Sequence, residues 1–199
     1  MPVPGQPAER ARIVDAAYRC LAEARGASVS ITDILTAAGL STRAFYRHFE
    51  SKDALLLAMF RRDSTRVMTE LRELAASAAS PAEALTALIA GMLAITAEER
   101  RGRVLALASA DTARARGYAG ERGRVTAEQE TIIAEILAAG RADGSFPWTD
   151  PGPDARFVRA ALGQAFDDQM AGMARAGATE TAAQITAFAL RALGARPAR

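Results

Sequence analysis

The residue types on which enzymes and metal sites depend are scarce in this sequence. Its 199 residues include one cysteine and one histidine, which are Cys20 and His48. A single cysteine excludes a disulfide within the chain, and a single histidine excludes a two-histidine zinc site and leaves no Cys–His or Ser–His set elsewhere. The glycine run at residues 117–123 is not a phosphate-binding loop, because no strand precedes it. We therefore expect that the protein is not an enzyme and carries no cofactor and no metal.

Membrane-directing segments are also missing from the sequence. It has no signal peptide and no apolar run long enough to span a bilayer, so we expect a cytoplasmic protein with no membrane partner. Cys20, without a second cysteine, is interpreted as a small packed residue rather than a redox sensor. The net charge is only +2. Binding to nucleic acid must therefore be argued from where the charges lie.

Aromatic and β-branched residues are few, and alanine and leucine are abundant. Aromatic residues make up 6% of the chain, and 50% of all residues are hydrophobic. This composition favours helices over strands. Apolar residues recur at three- and four-residue steps along most of the chain, which is the periodicity of amphipathic helices. The sequence predicts an all-α protein with about nine helices.

Residues 30–52 have the pattern of two short helices joined by a tight turn. Ser30 and Asp33 have the spacing of a capping box, and Ile34 and Leu35 begin the apolar side of the first helix. Gly39 can take the left-handed conformation that ends this helix, and a serine two residues later can cap the next one. Helices joined by so short a turn cross steeply, as in a helix-turn-helix.

The second of these helices has a face that suits DNA. Phe45 and Phe49 fall on one side when residues are placed about 100° apart, so the opposite face, centred on Arg47, points outward. Arg43 on that face can bond a guanine edge, and Ala44 can approach a thymine methyl. The residues predicted to contact DNA are Thr32, Ser41, Thr42, Arg43, Ala44, Tyr46, Arg47, His48 and Lys52.

The same stretch resembles the signature of the TetR family of transcriptional repressors, over residues 9–60. The resemblance rests on Gly39-Leu40-Ser41, Phe45-Tyr46, His48-Phe49 and Ser51-Lys52. It implies that the helix from Ser41 is the recognition helix, with Thr42 and Arg43 as candidates for base contacts. It also implies that Tyr46 and Lys52 contact the DNA backbone and that the protein is a homodimer. Without the resemblance, a helical hairpin in an ordinary bundle explains the pattern equally well.

The remaining residues are predicted to form one helix before this motif and a larger helical domain after it. The first helix covers residues 8–25, where Arg10 and Arg12 either contact phosphates or belong to a solvated arm. We place the DNA-binding domain at residues 1–52 and the ligand-binding and dimerisation domain at residues 53–199. Helices are predicted at 52–77, 80–97, 125–141 and 155–174 and after Gly177, with a loop or broken helix at 113–123.

The last two long helices have apolar stripes broader than one neighbour would cover. These stripes predict a homodimer formed by pairing the helices across a two-fold axis. A two-fold dimer presents two identical recognition helices, and these require a palindrome of double-stranded DNA with half-sites about 34–36 Å apart or a multiple of that distance. The residues predicted at the dimer interface are Ala161, Leu162, Ala165, Ile185, Phe188 and Ala189.

Methionines and aromatic rings in the larger domain, without a cluster of charges, predict an apolar cavity. The expected effector is a hydrophobic or amphipathic small molecule that shifts the long helix after Lys52 and so alters DNA binding. A filled core is the alternative interpretation of the same residues. The residues predicted to line the cavity are Leu88, Met92, Ile95, Leu105, Trp148, Phe157, Phe166 and Met170.

Three functions remain open from the sequence. The first is a ligand-responsive homodimeric repressor, and the second is a constitutive or architectural DNA binder without a small-molecule ligand. The third is an all-helical enzyme or carrier in which the helix-turn-helix is incidental. The long stretch of residues 53–199 favours the first, because a DNA anchor alone does not need it.

Overall fold

The structure is a computed structural model that describes residues 6–24, 27–97, 104, 107 and 109–195. Over these residues it contains helices and no strands, which confirms the predicted all-α class. No helix within the described ranges is both long and apolar enough to cross a membrane. The helices are α1 (Gln6–Glu23), α2 (Ile31–Ala38), α3 (Thr42–His48), α4 (Lys52–Ala76), α5 (Pro81–Ala94), α6 (Ala110–Arg114), α7 (Tyr118–Ala142), α8 (Pro151–Ala171) and α9 (Ala178–Ala192).

The chain divides into two compact units, and each is assembled from two separate stretches of sequence. Unit one contains Met1–Ser64 and Gly102–Arg122. Unit two contains Thr65–Arg101 and Gly123–Arg199. The boundary that we placed after residue 52 thus falls inside unit one, and unit one also includes a second segment that the sequence analysis assigned to the larger domain.

The core of unit one holds the short helices of the predicted DNA-binding motif. Ile13 and Val14 on the predicted apolar face of α1 are buried, as are Phe45 of α3 and Leu55 of α4. Burial of one such side chain contributes about 1.5–3 kcal/mol. A helix of 7 residues such as α3 is too short to be stable alone, so its position depends on this packing.

The second segment of unit one packs onto the start of α4. The ring of Tyr118 lies edge-on to that of Phe60, with centroids 5.0 Å apart. The backbone N–H of Arg116 donates to the Asp53 carboxylate at 3.0 Å. These contacts tie residues that are far apart in sequence into one unit.

The same segment contains the broken helix that the sequence predicted as one of two possibilities for residues 113–123. Helix α6 ends at Arg114, and a turn with Gly117 at φ 89° leads directly into α7 at Tyr118. Gly120 and Gly123 lie within α7. Helix α7 begins earlier than the predicted start at residue 125, because glycine lowers helix propensity by only about 1 kcal/mol, which surrounding packing can override.

Unit two is built around α5, which packs against α8 and α9. The Ser80 hydroxyl accepts the N–H of Glu83 at 3.2 Å and Pro81 occupies the first turn, so the predicted helix start is confirmed. Leu85, Leu88 and Leu93 of α5 are buried in the core. The helix ends at Ala94 rather than at residue 97 as predicted.

A close approach in unit two depends on the absence of one side chain. Gly140 on α7 lies directly against the fully buried ring of Phe146, and a Cβ at this position would overlap the ring. Phe146 is part of the core that includes Ile133 and Leu137 of α7. Gly140 therefore fixes how the turn after α7 folds back onto that helix.

Candidate nucleic-acid interface

Capping hydrogen bonds fix where the helices of the helix-turn-helix begin and end. At the start of α2, the Ser30 hydroxyl accepts the N–H of Asp33 at 3.1 Å, and the Asp33 carboxylate accepts the N–H of Ser30 at 2.9 Å. The two hydrogen bonds from Ser30 hold the pKa of Asp33 below its ordinary value. The predicted capping box is therefore present, and it fixes where α2 begins.

The turn between the helices also has the predicted form. Gly39 has φ 62° and ψ 42°, the left-handed conformation, and its N–H donates to the last carbonyls of α2. Leu40 donates its N–H to the carbonyl of Leu35 at 3.1 Å. The Ser41 hydroxyl then accepts the N–H of Ala44 at 3.3 Å and caps α3. The direction of α3 follows from this turn.

Two arginines of α1 bind the carbonyl end of α2. Arg12 Nη2 donates to the carbonyl of Ala38 at 2.6 Å and to that of Gly39 at 3.3 Å. Arg19 Nη2 donates to the carbonyl of Ala37 at 3.1 Å. These cations satisfy carbonyls that the helix leaves free and complement its dipole. Arg12, which we considered as a phosphate contact, thus positions the turn, a role that only the long-range packing of α1 reveals.

The outward side of α3 carries most of the predicted DNA contacts. Phe45 is fully buried, whereas Tyr46 is exposed. The exposed residues among those predicted are Thr32, Ser41, Thr42, Arg43, Tyr46 and Arg47. Ala44 is only 3% exposed, and His48 and Lys52 are partly buried. Because Ala44 is buried, we remove it from the predicted base contacts.

Glu9 of α1 holds the C-terminal half of α3. Its Oε2 atom accepts from Arg47 Nη1 at 3.0 Å and lies 3.1 Å from His48 Nε2. The side chain of His48 is 8% exposed, so this ring faces Glu9 rather than a phosphate. We therefore correct the role predicted for His48: it anchors α3 to α1. Arg10, on the same helix, lies over the Phe49 ring at 5.1 Å, a cation–π contact that also orients α3.

Lys52 lies at the start of α4 in a ring of acceptors. Its Nζ donates to the carbonyl of Val29 at 2.6 Å, to the Asp111 carboxylate at 3.0 Å and to the Ser28 hydroxyl at 3.4 Å. Asp111, on α6, also accepts the N–H of Val29 at 2.7 Å and the hydroxyl of Ser28 at 3.0 Å. Burial of Asp111 acts to raise its pKa, but the hydrogen bonds from Val29, Lys52 and Ser28 outweigh burial and lower it. Sequence reasoning missed Asp111, because nothing local links it to Lys52.

The residues predicted to line a ligand cavity differ widely in burial. Leu88 and Met92 are buried in the core, and Ile95, Phe166 and Met170 are partly buried. Trp148 and Phe157 are exposed, and Leu105 lies outside the described residues. Unit two does contain an open groove of about 510 Å³, bordered by Arg72 and Glu135 and otherwise lined mainly by alanine and isoleucine. No group of three or more potential metal ligands occurs in the described part of the chain.

The residues predicted at the dimer interface divide into two sets. Leu162 and Ala189 are buried in the core of unit two, so they face inward and we remove them from the predicted interface. Ala161, Ala165 and Ile185 are partly exposed. Phe188 on α9 is 61% exposed, and Phe157 on α8, which we predicted as a ligand contact, is 71% exposed. The outward faces of α8 and α9 thus carry large apolar side chains.

Comparison with known proteins identifies the helix-turn-helix segment. Residues 13–59 match the family model described as bacterial regulatory proteins, tetR family. An uncharacterized HTH-type transcriptional regulator of Mycobacterium tuberculosis is 38% identical over 74 residues, which make up 37% of this chain and 37% of that protein. The match therefore spans little more than a third of the relative's length.

Solved structures resemble this chain over nearly its whole length. The SmeT–triclosan complex has a TM-score of 0.78 at 22% identity and covers 93% of this chain and 91% of its own. The regulator FadR from Bacillus subtilis in complex with stearoyl-CoA has a TM-score of 0.76 at 14% identity, with 92% of this chain and 98% of its own covered. At such identities the likeness is one of fold.

Proposed function

Because the chain belongs to the TetR family of bacterial regulatory proteins, we propose that it is a transcriptional repressor which binds a palindromic operator as a homodimer. A hydrophobic or amphipathic small molecule bound in unit two releases it from DNA. The observation that carries the proposal is the outward side of α3. This short helix exposes Thr42, Arg43 and Tyr46 on a scaffold fixed by buried rings and backbone caps.

The exposed residues of α3 divide into two kinds of DNA contact. Arg43, near the N-terminal end that enters the major groove, suits a bidentate bond to guanine. Tyr46 and Lys52 suit phosphates, which position the protein without reading sequence. Arg47, held by Glu9 at 3.0 Å, supports the orientation of α3 and lies close enough to the exposed side to add positive charge there.

Selection of bound fragments from a random duplex library tests this division. We expect an inverted repeat. The variant Arg43→Ala should lose discrimination at one base position in each half-site, by about 1–3 kcal/mol, whereas Lys52→Ala should weaken binding to all sequences alike and reduce the salt dependence. Selection of no common sequence, or the same behaviour for both variants, would refute the proposal.

The exposed rings of α8 and α9 support a dimer formed through these helices. Phe157 and Phe188 lie on adjacent helices of unit two. Ala161, Ala165 and Ile185 flank them with small or partly exposed apolar surface. Exposed apolar residues grouped on one face mark interaction sites, and the same face on a second copy of this chain is the occupant that a two-fold dimer provides.

Ligand control is supported by the fold and by the space in unit two. The two resembling proteins were solved with triclosan and with stearoyl-CoA, a hydrophobic and an amphipathic molecule respectively. In this chain the open groove beside Arg72 is the candidate site. Titration of a fatty acyl-CoA and of triclosan against the protein–operator complex tests the proposal. A ligand that binds without changing operator affinity would contradict it, because linkage requires a reciprocal effect.

A constitutive DNA binder is the second candidate. The observation that favours it is that Leu88 and Met92, which we predicted to line a ligand cavity, are buried in the core of unit two. A screen of hydrophobic and amphipathic molecules against the protein–operator complex separates the candidates, because a constitutive binder responds to none of them. For any molecule that releases the operator, Ala75→Trp, which fills the groove, tests the groove as its site: the variant should lose the response and keep its operator affinity.

A further inference from the structure

The ammonium group of Lys52 has no hydrogen left for a DNA phosphate. An ammonium donates three hydrogen bonds, and three oxygen atoms surround Lys52 Nζ: the carbonyl of Val29 at 2.6 Å, Asp111 Oδ2 at 3.0 Å and the Ser28 hydroxyl at 3.4 Å. Lys52 is also partly buried by this arrangement. A phosphate can reach Nζ only if one of these acceptors gives way.

Asp111 sits among donors that would equally suit a phosphate oxygen. Its carboxylate accepts a backbone N–H from Val29 at 2.7 Å, a hydroxyl from Ser28 at 3.0 Å and the ammonium of Lys52 at 3.0 Å. An amide, a hydroxyl and a cation together form the usual set that binds a DNA phosphate. The side chain of Asp111 is 8% exposed. In the free protein this set of donors is therefore occupied by an internal anion.

We propose that Asp111 occupies the place of a DNA phosphate at Lys52 and competes with the operator for it. The inference rests on the proposed function, since it concerns the Lys52 phosphate contact. Of the three acceptors, Asp111 is the one that can move away from Lys52. The carbonyl of Val29 and the hydroxyl of Ser28 belong to the residues just before α2, whereas Asp111 belongs to the separate stretch Gly102–Arg122. Binding of an operator phosphate at Lys52 therefore breaks the ion pair between Lys52 and Asp111.

The position of Asp111 in the chain makes this competition open to regulation. Asp111 belongs to the segment Gly102–Arg122 of unit one, and the residues on both sides of that segment belong to unit two. A change in unit two that displaces the segment therefore either breaks the ion pair between Asp111 and Lys52 or strengthens it. Ligand binding in unit two then alters operator affinity by changing the availability of one phosphate contact.

The affinity for operator DNA tests the competition. In Asp111→Asn the neutral amide binds Lys52 more weakly than the carboxylate does. We expect operator affinity to rise about tenfold at low salt, the equivalent of one charge-assisted hydrogen bond. The slope of log affinity against log salt should stay unchanged, because Lys52 reaches the same phosphate in both proteins. The rise in affinity should be absent when Asp111→Asn is made in the Lys52→Ala background.

A matched control separates competition from a general effect of charge. Glu50→Gln removes one carboxylate from an exposed position two residues before Lys52, without disturbing the ring of acceptors. If Glu50→Gln raises affinity as much as Asp111→Asn, or if Asp111→Asn acts equally in the Lys52→Ala background, competition is ruled out. It is also ruled out if Asp111→Asn leaves affinity unchanged or lowers it. If the wild-type chain binds no operator at all, it is instead the proposed function that has failed.

A measurement on the wild-type chain tests the competition even if Asp111→Asn does not fold. Lys52 is the only lysine of the sequence, so ¹⁵N-lysine labelling gives a single side-chain ammonium signal. The amide proton of Val29, which donates to Asp111, reports independently on the carboxylate. We expect both signals to shift together as operator is added. A shift of the Lys52 signal while the Val29 amide proton stays in place would overturn the proposal.

Discussion

Substitution of Gly39 by alanine should weaken the helix-turn-helix by two separable effects. The first is backbone strain, because Gly39 has φ 62°, and an L-residue with a Cβ loses about 1–2 kcal/mol in this conformation. The second is a contact, because a Cβ at Gly39 would lie 3.1 Å from Arg12 Nη2. That guanidinium also holds the carbonyl of Ala38 at 2.6 Å. Moving it weakens a hydrogen bond with a charged donor, which is worth about 1.5–3 kcal/mol when fully lost.

Gly172, at the end of α8, provides the matched control. It has φ 71°, and a Cβ there would meet no atom within 4 Å. Gly172→Ala therefore carries the strain without the contact, and both substitutions gain the same small benefit of about 0.4–1 kcal/mol from a less flexible unfolded chain. The difference between the two variants isolates the contribution of Arg12. Since the guanidinium can shift without losing its bond completely, we expect a difference of about 1 kcal/mol.

Urea-induced unfolding followed by circular dichroism measures both losses. In the Arg12→Ala background, Gly39→Ala should cost no more than Gly172→Ala does. Gly39→Asn should recover part of the stability, because asparagine tolerates the left-handed conformation better than alanine. Operator affinity should fall for Gly39→Ala and remain at the wild-type level for Gly172→Ala. Equal losses for the two glycines in the wild-type background would refute the assigned role of Arg12.

Three further predictions concern other parts of the chain. Gly140→Ala should lower stability by about 1–3 kcal/mol, because its Cβ overlaps the buried Phe146 ring. Gly123→Ala in the same helix, with open space around it, should raise stability by about 0.5–1 kcal/mol. Melting temperatures that shift in the same direction for both variants would contradict this prediction. Phe188→Asp should convert the proposed dimer to a monomer of normal helicity in sedimentation equilibrium, and an unchanged dimer would exclude α9 from the interface. The pKa of Asp111 is lowered from 3.8, so its ionised form stabilises the fold above about that pH. This contribution is lost as pH falls through the lower folded pKa. The free energy of unfolding of an Asp111→Asn variant should therefore differ most from that of wild type near neutral pH and least in acid.

The sequence predicted those parts of the site that depend on neighbours along the chain. The Ser30–Asp33 capping box, the left-handed Gly39 and the Ser41 cap each involve residues no more than four apart. Their geometry follows from local hydrogen bonding and steric limits. The burial of Phe45 followed from helical periodicity alone. These local features explain why the class of fold and the position of the recognition helix could be predicted.

The parts that the sequence did not predict depend on contacts between distant residues. Glu9 meets His48 across 39 positions, and Lys52 meets Asp111 across 59. No spacing or periodicity indicates such pairs in a single sequence. The burial of Ala44 was also missed because it depends on such contacts. Helix α3 packs against both α1 and α2, and not only through the side that carries the two phenylalanines. Likewise, the inward position of Leu162 depends on which side of α8 meets α5.

Because unit one is formed by two separate stretches of sequence, its helix-turn-helix cannot be exchanged between proteins as a single N-terminal fragment. A fragment ending at Ser64 would leave the Phe60 ring without Tyr118 and the Lys52 ammonium without its carboxylate partner. Recombination that exchanged only the N-terminal residues between relatives would produce hybrids with a mismatched ring contact and a mismatched ion pair. If the proposed function is correct, a chimera designed to bind a different operator should exchange the N-terminal residues and Gly102–Arg122 together.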